Sequence, residues 1–174
     1  VVGEDGLTSA LGTQYTDYVQ DLRDHCRFFS LVDDDTISQM KDRVSNHGVR
    51  VLVDGAGLFI GSPGVFAEQF KECIGISYIA YEDLNGDKWV LEKQDETWTT
   101  HAYSDIKSEI SDDHKSSVLC LYHQSKGTGV DFGPIQADNS KTLITMDDSV
   151  GLSTAVQYRG RHRHNLEFGV LYKG

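Results

Sequence analysis

Val49-Arg50-Val51-Leu52-Val53, bounded by Gly48 on one side and Asp54-Gly55 on the other, is the stretch that decides how this chain folds. Five mostly β-branched and aliphatic residues, closed at both ends by turn formers, read as a buried strand. Ser62-Pro63 then supplies an N-cap and a first-turn proline, so a helix is expected over 64–74 with Phe66, Phe70, Cys73 and Ile74 along one face. Ile76-Ser77-Tyr78-Ile79-Ala80-Tyr81 is the next strand. Strand, helix, strand predicts a parallel pair joined by a right-handed crossover.

The pattern extends outward from this unit. Asp35 is placed to cap a helix that carries Ile37, Met40 and Val44 and stops at Asn46-His47-Gly48. Upstream, Tyr15, Val19, Leu22, Cys26 and Phe29 recur at three- and four-residue spacing, which predicts an amphipathic helix over 14–31. Residues 1–13 are Gly-rich and read as a flexible N-terminal segment. Downstream, Asn85-Gly86 marks a hairpin joining 78–82 to 88–92 as an antiparallel excursion. The polar segment 97–115 reads as a loop with a short helix at 104–110. Buried strands return at Val118-Leu119-Cys120-Leu121-Tyr122 and Thr142-Leu143-Ile144-Thr145-Met146. A helix over 151–161 precedes a last strand over 166–172. Strands alternating with helices predict one α/β domain over 14–174, with a mostly parallel sheet of five or six strands and flanking helices.

With 174 residues, 39% of them hydrophobic and 25% charged, the chain is long enough for a substantial core and ordinary for a globular domain. No apolar run approaches the roughly 20 residues that span a bilayer, and no signal-peptide pattern opens the sequence. Cys26, Cys73 and Cys120 are odd in number and lie in apolar segments, which suggests buried thiols in a reducing compartment, hence an intracellular, cytoplasmic protein. The net charge of −11 argues against a nucleic-acid grip by this piece alone.

Against that acidic background, Arg159-Gly160-Arg161-His162-Arg163-His164 is a local basic cluster. In open parallel sheets, chemistry gathers at the carboxyl ends of the strands. Those ends here carry Asp54-Gly55-Ala56-Gly57, the run His123-Gln124-Ser125-Lys126-Gly127-Thr128-Gly129-Val130-Asp131, and Asp147-Asp148. Glycines in such turns expose backbone N–H groups to anions, or simply turn the chain. Paired arginines neutralise phosphoryl oxygens, or cap a helix C-terminus. No Gly-x-x-x-x-Gly-Lys-[Ser/Thr] loop is present to cradle a phosphate. A thiol site from Cys120, His123 and Asp131 is weakened by the position of Cys120 inside an apolar strand. A metal site from His162, His164, Asp147 and Asp148 is weakened by the flanking arginines.

Gly-Thr-Gly-x-Asp over 127–131, followed by Gln157-x-x-Gly160-Arg161-x-Arg163, resembles motifs V and VI of the superfamily 2 helicases and related translocase ATPases. A closer similarity is to the ATPase-like region of very large eukaryotic proteins catalogued as ubiquitin hydrolases. It spans about 49–170 through four ordered blocks: Leu52-Val53-Asp54-Gly55-Ala56; Gly75-Ile76 through Val90-Leu91; Tyr122 to Asp131; and Gln157, Arg161 and Arg163. The resemblance implies a RecA-like (P-loop NTPase-type) second domain that works with a separate P-loop domain of the same parent chain, ATP and Mg. It implies that Arg161 is the γ-phosphate finger and Arg163 a second phosphate or interface contact. Gly129 and Asp131 would couple the nucleotide to the interdomain cleft, Gly127 and Thr128 would belong to the same nucleotide-binding turn, and Gln157 would orient toward the nucleotide or the first domain. Nucleic acid and polypeptide are both substrates of such motors. An inactive interaction module of the same fold is the alternative, and a cysteine-dependent ubiquitin hydrolase fragment a lesser one.

Overall fold

The computed structural model describes residues 26–31, 35–123, 132–138, 140–147 and 168–173. Among them, eight strands form one sheet in the order β1-β8-β7-β2-β6-β3-β4-β5. They are β1 (Cys26–Leu31), β2 (Val49–Val53), β3 (Tyr78–Glu82), β4 (Lys88–Gln94), β5 (Thr97–Ala102), β6 (Val118–Tyr122), β7 (Lys141–Asp147) and β8 (Phe168–Lys173). The six strands from β1 to β3 in that order pair parallel, while β3-β4-β5 is an antiparallel meander. This is a mostly parallel α/β sheet carrying an antiparallel excursion.

The central unit folds as its residues dictate. β2 and β3 point the same way, and β6 lies between them, parallel to both. The fully buried β6 alternates by pleat. Val118, Cys120 and Tyr122 enter one core and Leu119 and Leu121 the other. Helix α1 (Thr36–His47) and helix α2 (Pro63–Glu68) cover the second face with Met40, Val44, Phe66 and Ala67. Helix α3 (Tyr103–Ile106) and a 3-10 turn at Gly133–Ile135 cover the first face with Tyr103, Ile106 and Ile135.

Local signals set the ends of these elements. Asp35 caps α1 by accepting from the Ser38 amide, and Gly48 closes it at φ 74, where its amide reaches the Arg43 carbonyl. Ser62 caps α2 with Pro63 in the first turn. The β3–β4 hairpin turns on Gly86 at φ 88, and Asp83 accepts from the amides of Asn85 and Asp87 and from the Trp89 indole.

Four expectations are corrected. Cys26–Leu31 is a strand rather than the end of a 14–31 helix, because its backbone finds a parallel partner in β8. Residues 14–25 lie outside the described residues. The 64–74 helix ends at Glu68 and gives way to turns, so Ile74 is exposed rather than buried with Phe66, Phe70 and Cys73. The segment 97–115 is not a loop: it opens with β5, which pairs with β4 along its whole length, and its short helix covers 103–106. The sheet accordingly has eight described strands instead of five or six. No helix among the described residues is long and apolar enough to cross a membrane.

Candidate functional site at the carboxyl edge

Because β7, β2 and β6 are adjacent and parallel, their carboxyl ends share one edge of the sheet. β2 ends there in Asp54, a fully buried side chain. Its Oδ1 accepts from the Leu58 amide at 2.9 Å and from the Thr145 hydroxyl at 2.6 Å, and its Oδ2 accepts from the Phe59 amide at 2.9 Å. Thr145, on β7, also accepts from the Ala56 amide at 3.2 Å. One buried carboxyl group therefore folds the loop after β2 back on itself and fastens it to the neighbouring strand. Buried polar groups remain buried only when bonded in this way.

The loop is held from its far side too. Phe59 packs on Phe66 of α2 with ring centroids 5.0 Å apart. The His123 imidazole, just past β6, lies 3.0 Å from the Gly61 carbonyl, and its ring meets Phe66 edge-on at 6.3 Å. Gly61 has φ 156, and a Cβ there would fall 2.8 Å from the Phe59 ring, so the turn into α2 requires glycine. Beside it, Tyr81 of β3 approaches Gly64, and burial, then Asp83 and Glu68, push its hydroxyl above the usual tyrosine range.

A second polar knot lies on the other face. The buried Tyr122 hydroxyl accepts from the Gln136 amide group at 2.9 Å and from the Phe132 amide at 3.4 Å. Phe132 packs against Tyr103 at 5.4 Å, and Lys88 Nζ stands 5.6 and 5.7 Å from these two ring centroids. The chain thus returns to the same edge of the sheet at Phe132.

No family model, curated protein or solved structure matches this chain. Its site is read from its own residues.

Gly127, Thr128, Gly129, Asp131, Gln157, Arg161 and Arg163 lie outside the described residues, as do Asp148, His162 and His164. The described chain leaves the carboxyl edge at His123, four residues before Gly127, and at Asp147, ten residues before Gln157. Cys120 is buried in the core with Val51 and Ala80, while His123 reaches across to Gly61, so the two do not form a nucleophile and base. Burial likewise pushes the Cys73 thiol up, toward the unreactive protonated form. Among the described residues, no group of three or more His, Cys, Asp or Glu side chains is placed to hold a metal ion. Thr145 and Tyr122 are the residues that sequence reading misses. A threonine and a tyrosine inside apolar strands are the only hint of their bonds.

Proposed function

We propose that the chain is the C-terminal, RecA-like half of a superfamily 2-type ATPase, which supplies Arg161 and Arg163 to an ATP site completed by a P-loop domain. One observation carries this reading. β6 and β7 run parallel on either side of β2, so the chain enters the segments that hold the Gly127–Asp131 and Gln157–Arg163 blocks from strand ends at one edge of the sheet. Open α/β sheets use that edge for ligands. Arginine suits the task, since its planar, permanently charged fork can meet two phosphoryl oxygens at once. ATP and Mg bind chiefly to the P-loop half, where the metal neutralises charge on the phosphates. This half contributes the fingers, and the Gly-Thr-Gly-x-Asp turn reports nucleotide state to the cleft.

The test is ATP turnover by the native protein that carries this sequence together with a P-loop domain. Arg161→Ala lowers kcat by about 1,000-fold or more if the residue is a finger. Unchanged turnover removes the assignment. A second reading, an inactive interaction module of RecA-like fold, draws on the Asp54 loop. Both carboxyl oxygens of Asp54 are engaged in holding that loop, so the conspicuous acid at this edge is structural. Absence of ATP turnover in the native protein favours that reading.

A further inference from the structure

β5 ends the sheet beyond β4, and no strand among the described residues pairs with its outer side. Its backbone polarity follows from the hairpin behind it. The Asp83 amide donates to the Asp87 carbonyl and the Lys93 amide to the Ser77 carbonyl, so Trp89, Leu91 and Lys93 of β4 bond toward β3. The alternate residues Val90, Glu92 and Gln94 bond toward β5, opposite His101, Thr99 and Thr97. Trp98, Thr100 and Ala102 therefore turn their amides outward, and Trp98 and Thr100 their carbonyls. Edge strands are ordinarily defended against pairing by proline, lysine, a bulge or brevity. β5 has none of these. It runs six residues in unbroken register with β4, and Thr97, Thr99 and Thr100 are exposed. Of the eight described strands, only β5 and β6 lack Asp, Glu, Lys and Arg, and β6 is buried inside the sheet. His101 is engaged within the chain, 3.0 Å from Glu92.

An exposed strand kept free of charge, in a chain of net charge −11, is suited to a partner strand, and its own sequence supplies the match. We infer that β5 pairs antiparallel with β5 of a second copy, about a two-fold axis through Thr100, so that two sheets become one. In that register Thr100 exchanges both backbone bonds with its symmetry mate, and each Ala102 amide donates to the Trp98 carbonyl across the axis. Bulky Trp98 faces small Ala102, and Thr99 faces His101, so the strand sets no like charge against itself. Charge beyond the strand opposes the approach. Asp95 and Glu96 of one copy come toward Asp105 and Lys107 of the other, and each whole chain, its arginines included, is acidic. Salt screens that repulsion, so the dimer tightens with ionic strength, the reverse of a contact held by ion pairs. Neither the arginine motifs nor ATP enters this pairing.

Sedimentation equilibrium of the intact protein, up to about 100 µM and in low and high salt, measures the association. The parent is expected to dimerise, more tightly in high salt. Thr100→Pro is the sharpest variant, because the amide it removes faces away from β4 and the ladder within the chain is kept. It is expected to weaken dimerisation at least ~10-fold. Thr100→Lys sets two lysines against each other at the axis, is expected to weaken it by as much, and decides the question should proline disturb β5. Thr100→Cys reads the register. Two-fold pairing brings its Cα within about 5.5 Å of its mate, so oxidation is expected to link the copies at least ~10-fold faster than through Thr97→Cys. A parent that stays monomeric at every salt concentration, or a dimer that both Thr100→Pro and Thr100→Lys leave intact, overturns the pairing. So does a Thr100→Cys cross-link to a chain of different mass, which would give the edge to a strand of another protein.

Discussion

The two ends of β2 use the same device with opposite charge. At the amino end, half-buried Arg50 donates to three carbonyls from three segments: Val44 at the end of α1, Val49 beside it, and Ser116 just before β6, at 2.7 to 2.8 Å. At the carboxyl end, buried Asp54 accepts from two amides and a hydroxyl. Helix ends and turns leave unpaired carbonyls that a cation satisfies, and loops leaving a strand present amides that an acid satisfies. The outcomes differ. Arg50 closes its end, where burial lowers its pKa and a Cβ on Gly75 would come within 3.0 Å of its guanidinium. Asp54 instead fixes a loop whose most exposed residue faces outward. The lesson is that similar clips can be read as closure at one edge and as loop support at the other.

The largest expected effect lies with Asp54. Asp54→Ala strands the Thr145 hydroxyl and the amides of Leu58 and Phe59 at a buried site, and unsatisfied buried groups cost ~1–3 kcal/mol each. With partial relaxation, a loss of about 3 kcal/mol or more is expected in urea unfolding, together with faster amide exchange across 55–61. A loss below about 1 kcal/mol, within the range of ordinary substitutions, would show that the loop holds without its clip. Arg50→Met comes next. It keeps the apolar stem but removes three donated bonds, so about 2 kcal/mol is expected by the same measurement. If the clip at the carboxyl edge is distinct from closure at the amino edge, Arg50→Met leaves amide exchange across 55–61 unchanged while Asp54→Ala speeds it.

Thr145→Val sharpens the comparison with a smaller change of about 1–2 kcal/mol, because it removes one donated and one accepted bond while keeping the shape. A double-mutant cycle with Asp54→Asn is expected to be non-additive by at least ~0.5 kcal/mol, as for directly bonded partners. Additive effects would mean that the loop and β7 are stabilised independently.

This contact also shows where sequence reading stops. Signals that operate within a few residues were legible: the Asp35 cap and Gly48 stop of α1, the Ser62-Pro63 opening of α2, and the Asn85-Gly86 hairpin. The apolar runs of β2, β6 and β7 were legible because a strand buried on both faces has little other reading. β5 was not. Thr97-Trp98-Thr99-Thr100-His101-Ala102 is an edge strand whose side chains are exposed or half-buried and none fully buried, so no apolar pattern announces it. β1 was misread because the spacing of Cys26 and Phe29 also suits a helix, and only its pairing with β8 decides. At the candidate site, Asp54 stood out as a turn former, whereas its partner Thr145 lies 91 residues away and no local rule joins them. The arginine and glycine motifs remain sequence inferences, since they lie outside the described residues.

The smallest effect concerns a third charged clip, Asp35, which holds the amino end of the helix whose last turn Arg50 holds. Its two carboxyl oxygens accept from the Ser38 amide at 3.0 Å and the Ser38 hydroxyl at 2.8 Å. Those bonds, the amide first, hold its carboxyl below the ordinary aspartate range. A depressed folded-state pKa contributes stability that is present above the unfolded value, about 3.9, and is lost as pH falls through the folded value. Asp35→Asn keeps a competent N-cap but removes the titration. Unfolding followed from pH 7 downward is therefore expected to show a shallower acid limb for Asp35→Asn than for the parent, with the two curves parallel above pH ~5. Arg50→Met carries no such signature, because arginine stays charged throughout that range. Identical acid limbs for parent and Asp35→Asn would mean that the Asp35 cap is already open in solution, and that α1 is held only from its carboxyl end.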